Sequence, residues 1–107
     1  MGDVADFALA VEERGDAVVV RVDGELDMAH AAVFEDALVT APEAQHVVLD
    51  LTGCTLLDST GLRVITATTK ARERVSVVAT EPAILRVLEI TSVETLVTIH
   101  PSLDAAL

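Results

Sequence analysis

One short segment of the chain, Asp58-Ser59-Thr60-Gly61-Leu62, carries the residues best suited to chemistry. It lies between an apolar run typical of a strand and a long run that favours a helix, so Ser59 falls where a strand turns into a helix. At such a turn the first N–H groups of the helix lack intrahelical partners and the helix dipole is positive. A serine hydroxyl there can cap the helix, and it can also accept a phosphate where a dianion is well tolerated.

Two interpretations of this segment, a structural cap and a functional site, stay open on the residues alone. A cap formed by Asp58 or Ser59 would stabilise the helix by about 1 kcal/mol and would account for either residue. It does not account for Gly61, because a glycine inside a helix costs roughly 1 kcal/mol relative to alanine. A glycine here suits a place where another backbone approaches closely, as at a docking surface.

No signature of an enzyme accompanies this segment. Gly24, Gly53 and Gly61 are isolated, so neither a P-loop nor a dinucleotide-binding fingerprint is present. Ser59 is not in the G-x-S-x-G elbow of a hydrolase, and no pair of carboxylates stands in an apolar setting that would separate their pKa values. We therefore expect no enzymatic activity, no cofactor and no small-molecule substrate, and any phosphate must be delivered by another protein.

The histidines and the single cysteine predict neither a metal site nor a redox site. His30, His46 and His100 are scattered along the chain without the spacing of metal ligands. Cys54 cannot form an internal disulfide, which fits a reducing compartment. Its apolar surroundings predict a buried and inert thiol.

Charge and composition narrow the range of partners. The 107 residues include 18 acidic and 7 basic side chains, a formal net charge of −11, and their only aromatic residues besides histidine are 2 phenylalanines. Such a chain is repelled by phosphate backbones and anionic membranes and cannot stack on bases, so we expect no nucleic acid and no membrane as partner. The acidity favours a partner with a basic protein surface, or simply keeps the protein soluble.

The acidic start at residues 1–6 lacks the features of a signal peptide, and no apolar run approaches the roughly 20 residues of a membrane span. Both observations predict a cytoplasmic protein.

Hydrophobic periodicity predicts the elements that surround the segment. Short alternating or fully apolar runs indicate strands, and apolar residues three or four positions apart indicate helices. In chain order, these are strands at 7–13 and 18–22, a helix at 28–40, a strand at 46–52, a helix from Ser59 to about Arg74, a strand at 75–80, a helix from Pro82, a strand at 96–99 and a helix from Pro101 to Leu107.

The order β-β-α-β-α-β-α-β-α predicts an α/β fold with a mixed, mostly parallel sheet, an antiparallel N-terminal hairpin and helices packed on it. We expect residues 1–107 to form a single domain, because the chain is long enough for one core only. Gly15-Asp16 supplies the hairpin turn, and Gly24-Glu25-Leu26-Asp27 should break the second strand, with Asp27 capping the helix that follows. The strand at 46–52 is apolar on both faces except at Asp50, the pattern of a central strand buried on both sides.

Several stretches of the chain resemble the STAS domain family, named for sulfate transporters and anti-sigma factor antagonists. They are VVVRVDGELD at 18–27, HVVLDLTGCTLLDSTGLRVI at 46–65 and VSVVATEPAILRVLEITSVETLVTI at 75–99. Together they cover most of the chain in the order and spacing of the family, and DSTGL after a buried strand is the most specific of these signals. Within the family, the chain is most similar to the stand-alone bacterial anti-sigma factor antagonists, also called anti-anti-sigma factors.

The resemblance implies a regulatory switch at Ser59. In that family the serine after the aspartate is phosphorylated by a partner that is both an anti-sigma factor and an ATP-dependent serine kinase. The unphosphorylated antagonist binds this partner and releases a sigma factor for transcription. Phosphorylation blocks binding, and a metal-dependent serine phosphatase restores it. The residues that the resemblance assigns to the docking surface are Asp27, Asp58, Ser59, Thr60, Gly61 and Leu62.

Two questions stay open beside the resemblance. Thr60 stands where the family more often has a second serine, and a hydroxyl one residue into the helix is a rival phosphorylation site. The alternative function is that of a non-phosphorylated STAS subunit in a membrane-transport complex, for example an ABC-type lipid exporter. Such a subunit would use the same surface for permanent docking.

Overall fold

The computed structural model describes residues 7–107, which form a five-stranded sheet flanked by helices. The acidic start at residues 1–6, from which the absence of a signal peptide was predicted, lies outside the described residues. In chain order the elements are β1 (Ala8–Arg14), β2 (Ala17–Leu26), α1 (Ala31–Thr40), β3 (His46–Leu57), α2 (Ser59–Ala71), β4 (Arg74–Val78), α3 (Pro82–Ile90), a 3-10 turn at Val93–Thr95, β5 (Thr98–His100) and α4 (Leu103–Ala106).

The strands follow each other across the sheet in the order β1-β2-β3-β4-β5. The hairpin β1–β2 is antiparallel, and every other neighbouring pair is parallel. Gly15 forms the hairpin turn with a φ of 64°, in the left-handed region that glycine enters without steric cost. The predicted mixed, mostly parallel α/β fold is thereby confirmed.

The two faces of the sheet are covered unequally. Three helices pack on one face, where Phe34 of α1, Ile65 of α2 and Leu88 of α3 are fully buried against the strands. The opposite face is covered by the short helix α4, whose Ala106 packs with Val48 of β3 in a smaller apolar cluster. Strand β3 is therefore buried on both sides, as its composition predicted.

A buried carboxylate, Asp50, interrupts the apolar centre of β3. Its Oδ1 accepts hydrogen bonds from the backbone N–H of Thr52 at 3.1 Å and from the Thr52 hydroxyl at 2.8 Å. Its Oδ2 lies 3.6 Å from the Arg21 guanidinium on the neighbouring strand. These partners offset the cost of removing a charged group from water.

Strands β2 and β3 both run further than predicted. The expectation that Gly24-Glu25-Leu26-Asp27 would break the strand is wrong, because β2 continues to Leu26 through two register shifts against β3. Gly24 adopts a φ of 99° at this irregularity. A bulge absorbs an extra residue without ending the pairing, and β3 accordingly extends to Leu57 beside its partner.

The expected cap at Asp27 is also wrong. Helix α1 begins at Ala31, and the residue at its N-cap position is His30, whose side chain caps nothing. The backbone carbonyl of Asp27, and not its carboxylate, accepts hydrogen bonds from the N–H groups of His30 at 3.0 Å and Ala31 at 2.8 Å. The residues that were predicted to open the helix form a turn instead.

A buried polar pair joins the starts of β3 and β4. The Nε2 atom of His46 lies 2.7 Å from the Ser76 hydroxyl, and both residues are buried. Burial lowers the pKa of His46, and the nearby Arg74 lowers it further. The ring is therefore held neutral at pH values where an exposed histidine takes up a proton.

We expect the protein to lose stability below about pH 6.5, the ordinary histidine pKa, and to lose less of it in the variant His46→Gln. Because the pKa of His46 is lower in the folded protein, the unfolded chain takes up the proton first as the pH falls. The folded state is thus penalised as the pH drops from that value towards the folded-state pKa. Urea unfolding at pH 7.5 and 5.5 measures the effect, and an equal loss in both proteins would contradict it.

Candidate functional site

The candidate site forms where the carboxyl ends of β2 and β3 meet. The two strands are parallel neighbours, and Leu26 pairs with Leu57 in the last position of the register. The backbone N–H of Asp58 then donates to the carbonyl of Leu26 at 3.3 Å. The segments that follow these strands begin at Asp27 and Asp58, and they therefore start side by side. They lie at the edge of the sheet where α/β proteins commonly bind ligands.

Asp58 is the N-cap of α2. Its Oδ1 accepts the backbone N–H groups of Thr60 at 3.0 Å and Gly61 at 3.2 Å, together with the Thr60 hydroxyl at 2.5 Å. The bond from the Thr60 hydroxyl, followed by the backbone N–H groups of Gly61, Thr60 and Met28, lowers the pKa of this carboxyl group. The carboxylate is thus ionised at neutral pH and ties the turn after β2 to the start of α2. Of the two residues predicted as caps, the structure selects Asp58.

The two hydroxyl groups of the segment differ in their environment. Ser59 is the first residue of α2 and is exposed, and its hydroxyl has no hydrogen-bond partner among residues 7–107. Thr60 is half-buried, and its hydroxyl donates to the Asp58 carboxylate. Of the two hydroxyl groups, that of Ser59 is therefore the more accessible from solvent.

Gly61 is buried and fits closely against the end of β2. A Cβ atom at this position would lie 2.9 Å from the Leu26 Cγ atom, the Leu26 carbonyl oxygen and the Leu57 Cδ1 atom. The glycine was predicted to admit the close approach of another backbone, and that backbone belongs to Leu26 of the same chain. Leu62 is also buried, with 9% of its surface exposed. Both residues thus lie beneath the site and not on its outer surface.

Asp27 lies beside the capped helix with 28% of its side chain exposed. Its Oδ1 is 3.0 Å from Nδ1 of His30, but that nitrogen lies 2.8 Å from the carbonyl of Glu25. A carbonyl can only accept, so the single Nδ1 hydrogen is directed at Glu25, and Asp27 Oδ1 receives no hydrogen bond from residues 7–107. The His30 ring also stacks on Phe7, with 4.1 Å between the ring centroids.

Two further residues, Met28 and Arg63, contribute to the surface around Asp27 and Thr60, although they were not predicted from the sequence. Met28 is 77% exposed directly after the Gly-Glu-Leu-Asp segment. Arg63 is exposed on α2, and the two residues line a shallow cavity of about 380 Å³ between α1 and α2, together with Thr60. For Arg63, the sequence contained a signal that could have indicated this position. The four-residue spacing from Ser59 to Arg63 places both side chains on one face of the helix.

Other features of the described chain lie apart from this surface. A cavity of about 460 Å³ lies at the opposite edge of the sheet, beside His46 and Arg74 where the parallel strands begin. Among residues 7–107, no three side chains of His, Cys, Asp or Glu are arranged to hold a metal ion. None of the helices that these residues form has the length and apolar character that a membrane crossing requires. Cys54 is buried, and burial raises the pKa of its thiol.

The family model described as "Mlab, STAS domain" matches residues 9–98. The chain belongs to the STAS family. This result confirms the resemblance inferred from the sequence, and the match includes both Asp27 and the Asp58–Leu62 segment. No curated protein sequence matches the chain significantly.

Several solved structures share the fold of this chain. An anti-sigma factor antagonist from Mycobacterium paratuberculosis is 32% identical, with a TM-score of 0.88 over 94% of this chain and 91% of that one. The anti-sigma factor antagonist SpoIIAA in its unphosphorylated form is 18% identical, with a TM-score of 0.72 over 92% of each chain. The Bacillus cell fate determinant SpoIIAA in its phosphorylated form is 18% identical, with a TM-score of 0.70 over 92% of this chain and 96% of that one.

We expect Gly61→Ala to lower the free energy of unfolding by about 1–2 kcal/mol. An added methyl group would overpack the contact with Leu26 and Leu57 at a cost of about 2–3 kcal/mol, since one of the atoms that it meets is a backbone oxygen. The gain in helix propensity offsets about 1 kcal/mol of this cost. Ser59→Ala, in the same turn but exposed, is the matched control and should change stability by no more than about 0.5 kcal/mol. Urea unfolding compares the two variants. A Gly61→Ala protein as stable as the wild type would contradict the close fit.

Proposed function

We propose that this STAS protein is an anti-sigma factor antagonist that is switched off by phosphorylation of Ser59. The unphosphorylated protein would bind an anti-sigma factor that is also a serine kinase and would thereby release a sigma factor. A serine phosphatase would reverse the modification. The observation that carries the proposal is the exposed, unbonded Ser59 hydroxyl at the start of α2, in a chain 32% identical to an anti-sigma factor antagonist.

Ser59 is favoured over Thr60 as the modified residue. A kinase needs a hydroxyl that it can reach and align with ATP, and the Ser59 hydroxyl is exposed. The Thr60 hydroxyl is already bound to Asp58, and attaching a phosphate there would break part of the cap. Loss of an N-cap costs about 1 kcal/mol, so modification of Thr60 would damage the fold as well as the surface.

The proposed reaction is phosphoryl transfer from ATP to the Ser59 oxygen. A bond forms between Oγ and the γ-phosphorus, the bond from that phosphorus to ADP breaks, and a base on the kinase takes the hydroxyl proton. The sequence holds no phosphate-binding glycine loop, so the kinase supplies the nucleotide site. Because the proposed reaction consumes ATP, we propose the cytoplasm as the compartment of this protein.

The surface proposed for docking, called the Ser59 surface from here on, consists of Asp27, Met28, Ser59, Thr60 and Arg63. Asp58, Gly61 and Leu62 would support it from beneath, through the cap and the buried contacts at Leu26. The net charge of −11 favours a partner whose surface is basic on the whole. The exposed Met28 side chain adds an apolar contact that adapts to the shape of a partner.

Phosphorylation would act on binding through charge. A phosphate on Ser59 adds about −1.5 to −2 charges to a surface that offers the partner a neutral hydroxyl. In the complex this dianion would lie against groups of the partner that are positioned to contact a neutral hydroxyl. It would lose its bound water without gaining hydrogen-bond donors from the partner in return. A penalty of about 3 kcal/mol is enough to weaken binding more than 10²-fold.

We expect the cognate kinase and ATP to place one phosphate on this protein, in the peptide that contains Ser59. Ser59→Ala should abolish the incorporation, and the matched control Thr60→Val should retain it, because Ser59 remains exposed in that variant. Mass spectrometry of the digested proteins identifies the site. Phosphate on Thr60 alone, or none on the wild type, would overturn the assignment.

We expect Ser59→Ala to stay bound to the anti-sigma factor in the presence of ATP, and Ser59→Asp to bind at least about 10-fold more weakly, because its carboxylate keeps part of the phosphate charge. Isothermal titration calorimetry or a pull-down measures both. Equal binding by the two variants would contradict the switch. Equal binding together with stable co-purification with a transporter ATPase would favour the alternative, a permanently docked transport subunit.

A further inference from the structure

A phosphate on Ser59 would meet a helix terminus at which most of the backbone donors are already in use. The N–H groups of Thr60 and Gly61 donate to the Asp58 carboxylate at 3.0 and 3.2 Å. The N–H of Leu62 donates to the Asp58 carbonyl at 3.0 Å. Three of the amides at the start of α2, which could otherwise bind an anion, are therefore engaged by Asp58 of the same chain.

The charge around Ser59 adds to this difficulty. The neighbouring Asp58 is ionised, and the chain as a whole carries a formal charge of −11. A second anion on the adjacent residue is repelled by the first at a distance where screening by salt is incomplete. A cation close to Ser59 that is not engaged elsewhere would therefore stabilise the phosphorylated protein.

Arg63 fits this requirement. It lies four residues after Ser59 on the exposed face of α2, one helical turn away. Side chains of a helix tilt towards its N-terminus, so an arginine at this position can reach the turn that contains Ser59. Among residues 7–107, no carboxylate lies within ion-pair distance of Arg63, although Glu35 lines the same shallow cavity.

The other cations near α2 do not fit as well. Arg21 is paired with Asp23 and Asp50 on the far face of the sheet. Arg72 donates to the carbonyl of Leu38 at 3.0 Å. Lys70 lies on α2 but eleven residues beyond Ser59, which corresponds to about 16 Å along the helix axis.

We propose that Arg63 is the intramolecular partner of the phosphate on Ser59, binding two of its oxygens through the planar guanidinium. This inference rests on the proposed phosphorylation of Ser59. Glutamate followed by lysine at this spacing is the favourable orientation for a helix pair, and phosphoserine followed by arginine reproduces it. Phosphorylation then changes the Ser59 surface in two ways. It adds an anion, and it engages the Arg63 guanidinium so that this group is no longer available to a partner protein.

The test uses phosphoserine installed at position 59 by an expanded genetic code, so that no kinase is required. The second pKa of the phosphate is followed by ³¹P NMR in otherwise wild-type protein and in the variants Arg63→Gln, Arg63→Lys and Lys70→Gln. The charged and titratable groups of the neighbouring segments, Asp27, His30, Glu35 and Asp58, are the same in all four proteins, so the comparison isolates the cation at position 63.

We expect the second pKa of the phosphate to be higher in Arg63→Gln than in wild type by about 0.2 to 0.4 unit, the shift that corresponds to the strength of one helical ion pair. Lys70→Gln should match wild type, and Arg63→Lys should recover part of the shift. The difference should shrink in about 0.5 M salt as screening increases. An Arg63→Gln titration curve that coincides with wild type, or an equal shift in Lys70→Gln, would overturn the proposal.

The outcome is separable from that of the proposed function. If the cognate kinase never modifies Ser59, the switch fails while the titration with encoded phosphoserine still reports on Arg63. If the titration shows no effect of Arg63 while the kinase modifies Ser59 and binding is lost, the switch stands and only the pairing is wrong. Circular dichroism of each variant verifies that the exposed substitutions leave the fold intact.

Discussion

The pairing of Leu26 with Leu57 at the ends of β2 and β3 is the constraint on which the rest of the site depends. It brings the Leu26 carbonyl within reach of the Asp58 N–H and leaves room beside that carbonyl for a residue without a side chain. Gly61 occupies this place, and the first turn of α2 is thereby fixed against the end of β2. The Asp58 cap and the orientation of Ser59 both follow from this arrangement, since each belongs to the same helical turn.

Much of the fold could be predicted from local patterns, because each element carries its own periodicity. The hairpin around Gly15-Asp16 and the doubly buried strand around Asp50 are examples in which turn chemistry or composition was sufficient. The extension of β2 through Gly24 could not be predicted in the same way. Whether a strand ends or bulges is decided by the partner strand, and the partner is not visible in a local stretch of sequence.

The site shows the same division between local and long-range information. Ser59 at a strand-to-helix turn and a cap at Asp58 or Ser59 could be predicted, because both depend on neighbours in the chain. Met28 and Arg63 could not be assigned to the surface, because their positions depend on how α1 and α2 lie against each other. Gly61 was understood correctly as a point of close approach, but the sequence did not reveal that the approaching group was internal.

Because Ser59 sits in the first turn of a capped helix, the proposed kinase would have to recognise a folded surface, not an extended peptide. The hydroxyl is presented by Asp58, by Gly61 against Leu26 and by the turn after β2, and these parts meet only in the native structure. An unfolded copy of the protein would then neither occupy the anti-sigma factor nor draw phosphate from ATP. Under the proposed function, only natively folded molecules can bind the anti-sigma factor and be phosphorylated. Unfolded molecules would take no part in the regulation, and no separate factor would be needed to recognise them.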